Sequence, residues 1–178
     1  MDLHNLLIHF LFLYISYKVH LLSVAINDTY VNSTADMLPC SVLKTSDDPE
    51  LDVAIIQTNS KKTPDEVKNI VDLNHIASSQ DLQMGKKIYS IGFPQSFIIG
   101  ETAVGLEANN QSGEVTQDRG KYIYGHNIAI HQGASGSPVF DRRGHFAGII
   151  VSGFLGVSHG FNQAIRPIPA AEFGKKSM

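Results

Sequence analysis

The stretch HQGASGSPVFDRRGHFAGIIVSG, residues 131–153, decides the fold of this chain. It places Ser135 among the small residues Gly133, Ala134 and Gly136. Glycine and serine are common in flexible turns, but small neighbours also allow backbone N–H groups to point at a developing oxyanion beside a reactive serine. A strand, an Arg-Arg-Gly turn and a second strand follow, which excludes the strand-to-helix serine elbow of α/β-hydrolases. The stretch therefore predicts a serine loop in an all-β protein.

The composition is that of a globular chain. Of its 178 residues, 43% are hydrophobic and 17% are charged, enough apolar surface to bury a core. The net charge is −3 and no basic run occurs, so we expect no nucleic-acid partner. The single cysteine, Cys40, excludes an internal disulfide and is expected to be a buried small hydrophobe.

The two ends of the chain differ in composition. An apolar run, LLIHFLFLYISY at residues 6–17, is shorter than the roughly 20 residues that span a membrane. It resembles the core of a signal peptide but has no preceding Lys or Arg, so membrane contact is expected only if it is an anchor. All 15 glycines lie at or after Gly85. Because β-rich segments need glycine at turns and bulges, the first part is either built differently or is missing pieces.

Short runs rich in Ile, Val, Tyr and Phe alternate with turn residues along most of the chain, which favours a β-barrel or sandwich. The Thr63-Pro64-Asp65-Glu66 sequence indicates a short helix that ends near Leu73. We expect an apolar leader or truncated first strands over residues 1–20, a partial N-terminal barrel over 21–80 and a C-terminal barrel over 81–178. Early strands are predicted at 21–26, 37–45 and 51–58, and later ones in KKIYSIGFP, FIIGETAVGLEA, GEVTQ, KYIYGHNIAI, SPVFD, HFAGIIVSG and FNQAI.

Three segments carry a family resemblance that covers about residues 21–170. GASGSP followed by VFDRRGHFAGII resembles the active-serine segment of the trypsin-like (chymotrypsin-fold) serine proteases, in the disulfide-free bacterial branch that includes the HtrA/Deg proteases. DPELDVAIIQ resembles the segment with the triad aspartate, and MGKKIYSIGFP resembles the hairpin that opens the second barrel. Ser137 departs from the family's common GSGGP pattern, where a second glycine stands.

The resemblance implies a chymotrypsin-like double β-barrel with Greek-key strands, an incomplete first barrel and one short helix. It also implies a serine-type endopeptidase that hydrolyses peptide bonds through an acyl-enzyme on Ser135. Asp52 would orient the base, and the N–H groups of Gly133 and Ser135 would form the oxyanion hole. The substrate would be a peptide or unfolded protein, with no metal or organic cofactor. By the same analogy, such a protease would act outside the cytoplasm, in the periplasm or as a secreted protein.

The catalytic histidine has no clear position in this sequence. The T-A-x-H or T-N-x-H context of the family does not occur, and only His4, His9 and His20 precede Asp52. His9 is the candidate base, because His20 directly precedes a predicted strand and leaves little room for a loop. A chain without the base is the alternative: an inactive truncated chain, or a non-catalytic, peptide-binding or structural member of the fold, since loss of a triad residue costs several powers of ten in rate.

Residues near the serine loop are expected to line the substrate cleft. Ala129 lies six residues before Ser135, where no acid is present to pair with a Lys or Arg side chain, so we expect small or medium apolar residues at the cleaved position. The spacing of the later histidines, at 126, 131, 145 and 159, matches no compact set of metal ligands. The predicted substrate-binding residues are Ala129, His131, Gln132, Ser152 and Gly153.

Overall fold

The computed structural model describes residues 23–24, 37–48, 50–65, 67, 70–92, 108–131, 133–152 and 162–175. These residues form an all-β protein with one short helix, as predicted. The elements are β1 (Ser23–Val24), β2 (Leu38–Thr45), β3 (Ala54–Thr58), β4 (Lys87–Gly92), β5 (Asn109–Asp118), β6 (Ile123–His126), β7 (Pro138–Asp141), β8 (Phe146–Ser152), β9 (Asn162–Ile165) and α1 (Pro167–Lys175).

Strands β4 to β9 form a closed antiparallel barrel in the order β4-β5-β6-β9-β8-β7. β4 pairs with both β5 and β7, so this barrel has no free edge. Because β9 and β8 lie between β6 and β7 on one side, the chain must cross one end of the barrel between His126 and Pro138, as in a Greek key. The crossover contains Ser135. The ends of β4, β6 and β8 and the starts of β5, β7 and β9 meet at that same end.

Strands β1, β2 and β3 form a second, antiparallel sheet. Within the described residues this sheet has three strands, which confirms the prediction of an incomplete first barrel. Its own apolar cluster is small and consists of Cys40 and Ile56 with Leu38 packed against them. Val42 and Leu43 on β2 remain about half exposed, at 47% and 49%.

The small sheet is attached to the barrel through the segment before β3. Leu51 and Val53 are buried in a cluster with barrel residues that include Phe146 and Ile149. The two residues alternate with Asp52, as expected for an extended segment with one buried face. Burial of each such apolar side chain contributes about 1.5–3 kcal/mol, so this contact fixes where Asp52 lies relative to the barrel.

The β7–β8 hairpin is closed by the carboxylate of Asp141. Its Oδ1 accepts the N–H groups of Arg143 (2.7 Å) and His145 (2.9 Å), and Gly144 supplies the positive φ of 79° that the turn requires. The Arg143 guanidinium then reaches Asp81 at 2.6 Å. The hairpin predicted from DRRG is therefore present, and an ion pair ties it to the segment that precedes β4.

The short helix lies elsewhere than predicted. The described residues between 63 and 73 form turns and extended chain, with a single backbone bond from Val67 N–H to Pro64 at 3.0 Å. Val71 and Leu73 instead pack against the barrel core at the two-residue spacing of an extended chain. The observed helix is α1. No helix in the described part of the chain is both long and apolar enough to cross a bilayer.

Candidate active site

The loop that carries Ser135 consists of two successive tight turns. The Ala134 N–H donates to the His131 carbonyl at 3.0 Å, and the Ser137 N–H donates to the Ala134 carbonyl at 3.1 Å. Positive φ angles of 92° at Gly133 and 87° at Gly136 allow these turns, because glycine has no Cβ to clash in the left-handed region. Ala134 is buried, and Gly133 is exposed. The two glycines of this loop are therefore required by its backbone geometry.

Backbone hydrogen bonds anchor the loop to β8 but leave two of its N–H groups unused. The Gly136 N–H donates to the Ile150 carbonyl at 2.8 Å, and the Ile150 N–H donates to the Ser137 carbonyl at 3.0 Å. The N–H groups of Gly133 and Ser135 have no acceptor within the described residues. These are the two donors that the sequence assigned to the oxyanion hole. An anion that binds at this loop would find two N–H donors without another acceptor in the described part of the chain.

The Ser135 hydroxyl is half-buried and points at strand β8. Its Oγ donates to the Val151 carbonyl at 3.1 Å. Val151 is buried near the end of β8, where the barrel packs against Leu51 and Val53. The hydroxyl is therefore directed toward the junction between the barrel and the small sheet.

Asp52 lies at the same junction, between the buried Leu51 and Val53. A cavity of about 350 Å³ is lined by Asp52 and Glu50 on one side and by barrel residues that include Val151 on the other. The surrounding protein displaces part of the water from the Asp52 carboxyl and raises its pKa, although the residue is exposed. The Ser135 Oγ bonds to the Val151 carbonyl, and Val151 and Asp52 line one cavity; Ser135 itself is not among the residues that line it.

Among the four described histidines, none forms a hydrogen bond with Ser135 or Asp52. His75 bonds to Asp72 at 2.6 Å and stacks on His145 at 5.9 Å between ring centroids. His126 is fully buried, and His131 is exposed.

Several predicted site residues lie outside the described residues: His9 and His20, the candidate bases, and Gln132 and Gly153 in the predicted cleft. Of the remaining cleft residues, Ala129 and His131 are exposed on the crossover, and Ser152 ends β8. All three lie at the end of the barrel where Ser135 is found.

The sequence analysis did not identify two groups that bear on the site. The Val151 carbonyl, which accepts the Ser135 hydroxyl, has no sequence signal because every residue carries a carbonyl. His126 was considered only as a metal ligand. The two-residue spacing from Tyr124 could have placed it on the buried face of β6, since both residues are fully buried in the barrel.

The departure at Ser137 is accommodated by a glycine on β4. A Cβ atom at Gly92 would lie 2.0 Å from the Ser137 Oγ and 2.9 Å from its Cβ. We expect Gly92→Ala to lower the free energy of unfolding by about 1–3 kcal/mol through overpacking and to displace the loop that carries Ser135. Urea denaturation should show that Ser137→Gly, which removes both clashing atoms, restores most of the loss in the double variant. A double variant no more stable than Gly92→Ala alone would contradict this account.

Comparison with known proteins agrees with the fold. The model of the trypsin-like peptidase domain matches residues 21–149. No curated protein matches the chain. Among solved structures, the MamO protease domain from Magnetospirillum magneticum in its apo form is similar at 12% identity with a TM-score of 0.57, covering 77% of this chain and 68% of that one.

The HtrA-type protease AlgW, solved with a decapeptide, is similar at 20% identity with a TM-score of 0.57, and the match covers 79% of this chain. A variant of AlgW solved with a decapeptide gives the same identity and TM-score. This chain spans about two fifths of those AlgW chains, 41% and 40% respectively. With the family match over most of its length and the barrel order described above, the chain belongs to the trypsin-like peptidase domain family.

Proposed function

We propose that this protein is a serine-type endopeptidase in which Ser135 is the nucleophile. The observation that carries the proposal is the pattern of backbone N–H groups in the serine loop. Those of Ala134, Gly136 and Ser137 are bonded within the protein, whereas those of Gly133 and Ser135 have no acceptor in the described residues. Two free donors beside a half-buried hydroxyl are what stabilisation of a tetrahedral oxyanion requires.

In the proposed reaction, the Ser135 Oγ attacks the carbonyl carbon of a peptide bond as a base takes its proton. The carbonyl oxygen becomes an oxyanion held by the N–H groups of Gly133 and Ser135. The C–N bond then breaks, the proton passes to the leaving amine, and an ester on Ser135 remains. Water hydrolyses this ester and regenerates the hydroxyl. The substrate is a peptide or an unfolded protein segment.

Asp52 orients the base in this proposal and stabilises its charged form. The partial desolvation of its carboxyl supports the role, because a carboxylate partly shielded from water interacts more strongly with a neighbouring imidazolium. The base itself would come from outside the described residues, with His9 as the first candidate and His20 as the second.

The second candidate function is a non-catalytic peptide-binding domain of the same fold. The observation that favours it is the lack of any bond from the four described histidines to Ser135 or Asp52. Such a domain would keep the Gly133 and Ser135 donors and could bind a peptide carbonyl or carboxylate without hydrolysing it.

Labelling with a fluorophosphonate separates the two functions. The intact chain should be labelled, Ser135→Ala should abolish labelling, and Asp52→Asn should slow it by about 10⁴-fold, as expected for loss of the orienting carboxylate. Ser112→Ala changes an exposed serine on β5 and should leave labelling unchanged. A folded intact chain that is not labelled would reject the endopeptidase and leave the binding domain.

A further inference from the structure

Two histidines lie side by side at the end of the barrel opposite Ser135, and the proposed mechanism uses neither. His75 lies on the segment before β4, and His145 directly precedes β8. Their rings are nearly parallel, with 5.9 Å between centroids and 20° between planes. The Ser135 hydroxyl bonds near the end of β8, whereas His145 lies at its start. The two rings therefore form a cluster that is separate from the candidate active site.

Backbone hydrogen bonds hold these two histidines next to each other. The Phe146 N–H donates to the His75 carbonyl at 2.8 Å, and the Ala77 N–H donates to the Phe146 carbonyl at 2.9 Å. Ile76 and Phe146 accordingly form a parallel bridge. Phe146 is buried in the barrel, so the backbone on both sides of this contact is fixed. Only the side chains need to move for the two rings to share a ligand.

A carboxylate lies beside the Nδ1 atom of each ring. The Nδ1 of His75 is 2.6 Å from the Asp72 Oδ2. The Nδ1 of His145 is 3.4 Å from the Asp141 Oδ2, a charge contact without the geometry of a hydrogen bond. Hydrogen bonds from the Asn74 N–H and then from the His75 ring lower the pKa of Asp72. Because an ionised carboxylate only accepts hydrogen bonds, it favours the tautomer with the proton on Nδ1 and the lone pair on Nε2.

The surroundings of the two rings carry a net negative charge. Three carboxylates lie in this region, those of Asp72, Asp81 and Asp141. The Arg143 guanidinium, at 2.6 Å from Asp81 and 3.2 Å from Asp141, balances one of the three. Neither ring donates or accepts a hydrogen bond through Nε2 within the described residues. Two unused lone pairs in a negative environment favour a divalent cation.

We propose that His75 and His145 bind a zinc ion through their Nε2 atoms and that the ion braces the segment before β4 against the β7–β8 hairpin. Zn²⁺ binds histidine nitrogen at about 2.0–2.1 Å, so two imidazoles on one ion have centroids roughly 5–6.5 Å apart. The observed 5.9 Å lies in this range. Because the rings are nearly parallel, His75, of which 69% is exposed, turns about its side-chain bonds to direct its Nε2 at the ion.

The immediate surroundings support zinc with two protein ligands. A carboxylate at the other ring nitrogen is the arrangement that orients histidines on a metal. No set of three or more metal-binding side chains converges in the part of the chain that the structure describes, so water completes the coordination. Ca²⁺ and Mg²⁺ prefer oxygen ligands, and the nearby carboxylates are already engaged with His75 and Arg143. Zn²⁺ has no geometric preference from its d electrons and tolerates two imidazoles set by the backbone.

Titration of the full chain with zinc chloride, measured by calorimetry, tests the site. His75→Gln and His145→Gln should each weaken the tightest binding event by at least about 100-fold, since loss of an orienting group alone costs 10–100-fold. His131→Gln, at an exposed histidine on the serine loop, should leave it unchanged. An intact chain that does not bind zinc, or a tightest site that survives either substitution, would overturn the proposal.

Two further measurements separate a brace from zinc held elsewhere on the surface. Zinc should shift the ¹⁵N resonances of the His75 and His145 rings together, and a shift of one ring without the other rejects a shared ion. At 100 times the dissociation constant, zinc should lower the equilibrium constant for unfolding in urea by about 100-fold, and His75→Gln should remove this effect. Equal stabilisation by Ca²⁺ would assign the effect to the carboxylates and reject the histidine pair.

The outcome is independent of that for the proposed function. Ser135→Ala abolishes the proposed nucleophile but should bind zinc as the intact chain does, because the ion lies at the other end of the barrel. Zinc binding in a chain that fluorophosphonate does not label would retain the brace and reject the endopeptidase. Labelling at Ser135 in a chain that does not bind zinc would retain the endopeptidase and reject the brace.

Discussion

A decrease in pH from 7 to 4 is expected to lower the free energy of unfolding by about 3 kcal/mol through His126 alone. Burial depresses the pKa of this ring from 6.5 to about 4 in the folded protein. Between pH 6.5 and pH 4 the unfolded chain binds a proton that the folded chain does not. The contribution of His126 to the free energy of unfolding is therefore fully present above pH 6.5 and is lost as the pH falls toward 4. A shift of about 2.5 pKa units corresponds to about 3 kcal/mol.

Other titrating groups change the free energy of unfolding in a different pH range or in the opposite direction. Four carboxyls at or near the surface have pKa values lowered below 3.8, mainly by hydrogen bonds, so their contributions to stability are lost only at lower pH: Asp48, Asp72, Asp81 and Asp118. The pKa of Asp52 is raised, which favours the folded state slightly as the pH falls. The loss of stability between pH 6.5 and 4 is therefore assigned to His126.

Urea denaturation at half-unit pH intervals measures this effect. His126→Leu should remove most of the slope between pH 6.5 and 4, because its side chain does not titrate. His131→Gln, at an exposed histidine on the serine loop, should retain the slope. A wild-type protein whose stability is the same at pH 7 and pH 4 would show that His126 is protonated in the folded state or is reached by water.

The strands could be predicted because local patterns determine them. DRRG places an acid, a basic pair and a glycine where a hairpin turn needs them, and the β7–β8 hairpin forms there. The short helix could not be located in the same way. Residues 63–73 carry a helix-start signal, but Val71 and Leu73 gain more from packing on the barrel in extended form than an isolated short helix would provide.

The serine loop was also predictable from sequence, because positive φ angles at Gly133 and Gly136 require glycine at those positions. Two features depend on strand pairing and were not predictable. The complete burial of the His126 ring depends on which residues oppose it in β5 and β9, and the close approach of Gly92 to Ser137 depends on how β4 meets the crossover.

Gly148→Ala is expected to destabilise the protein by about 4 kcal/mol. A Cβ at this position would lie 2.1 Å from the Ile165 carbonyl oxygen, a backbone atom that cannot rotate away. The φ of 145° is also a conformation that residues with a side chain rarely adopt. Backbone strain of about 1–3 kcal/mol adds to an overpacking cost of similar size. The glycine thus allows β8 to pair closely with β9 at a register shift in the β7–β8 pairing.

Gly144→Ala is the matched control for this prediction. Gly144 also has a positive φ, 79°, but no atom lies within 4 Å of an added Cβ. Its substitution should cost only the strain of the left-handed conformation, about 1–2 kcal/mol. Both variants can be compared by urea denaturation at pH 7.

Equal losses in the free energy of unfolding would mean that backbone conformation alone is responsible and that β8 and β9 can separate to admit a methyl group. A much greater loss for Gly148→Ala would show that the barrel wall between the two strands resists expansion. Because Val151, which accepts the Ser135 hydroxyl bond, and Ile150, which bonds to Gly136 and Ser137, both belong to β8, that rigidity would also fix the position of the nucleophile.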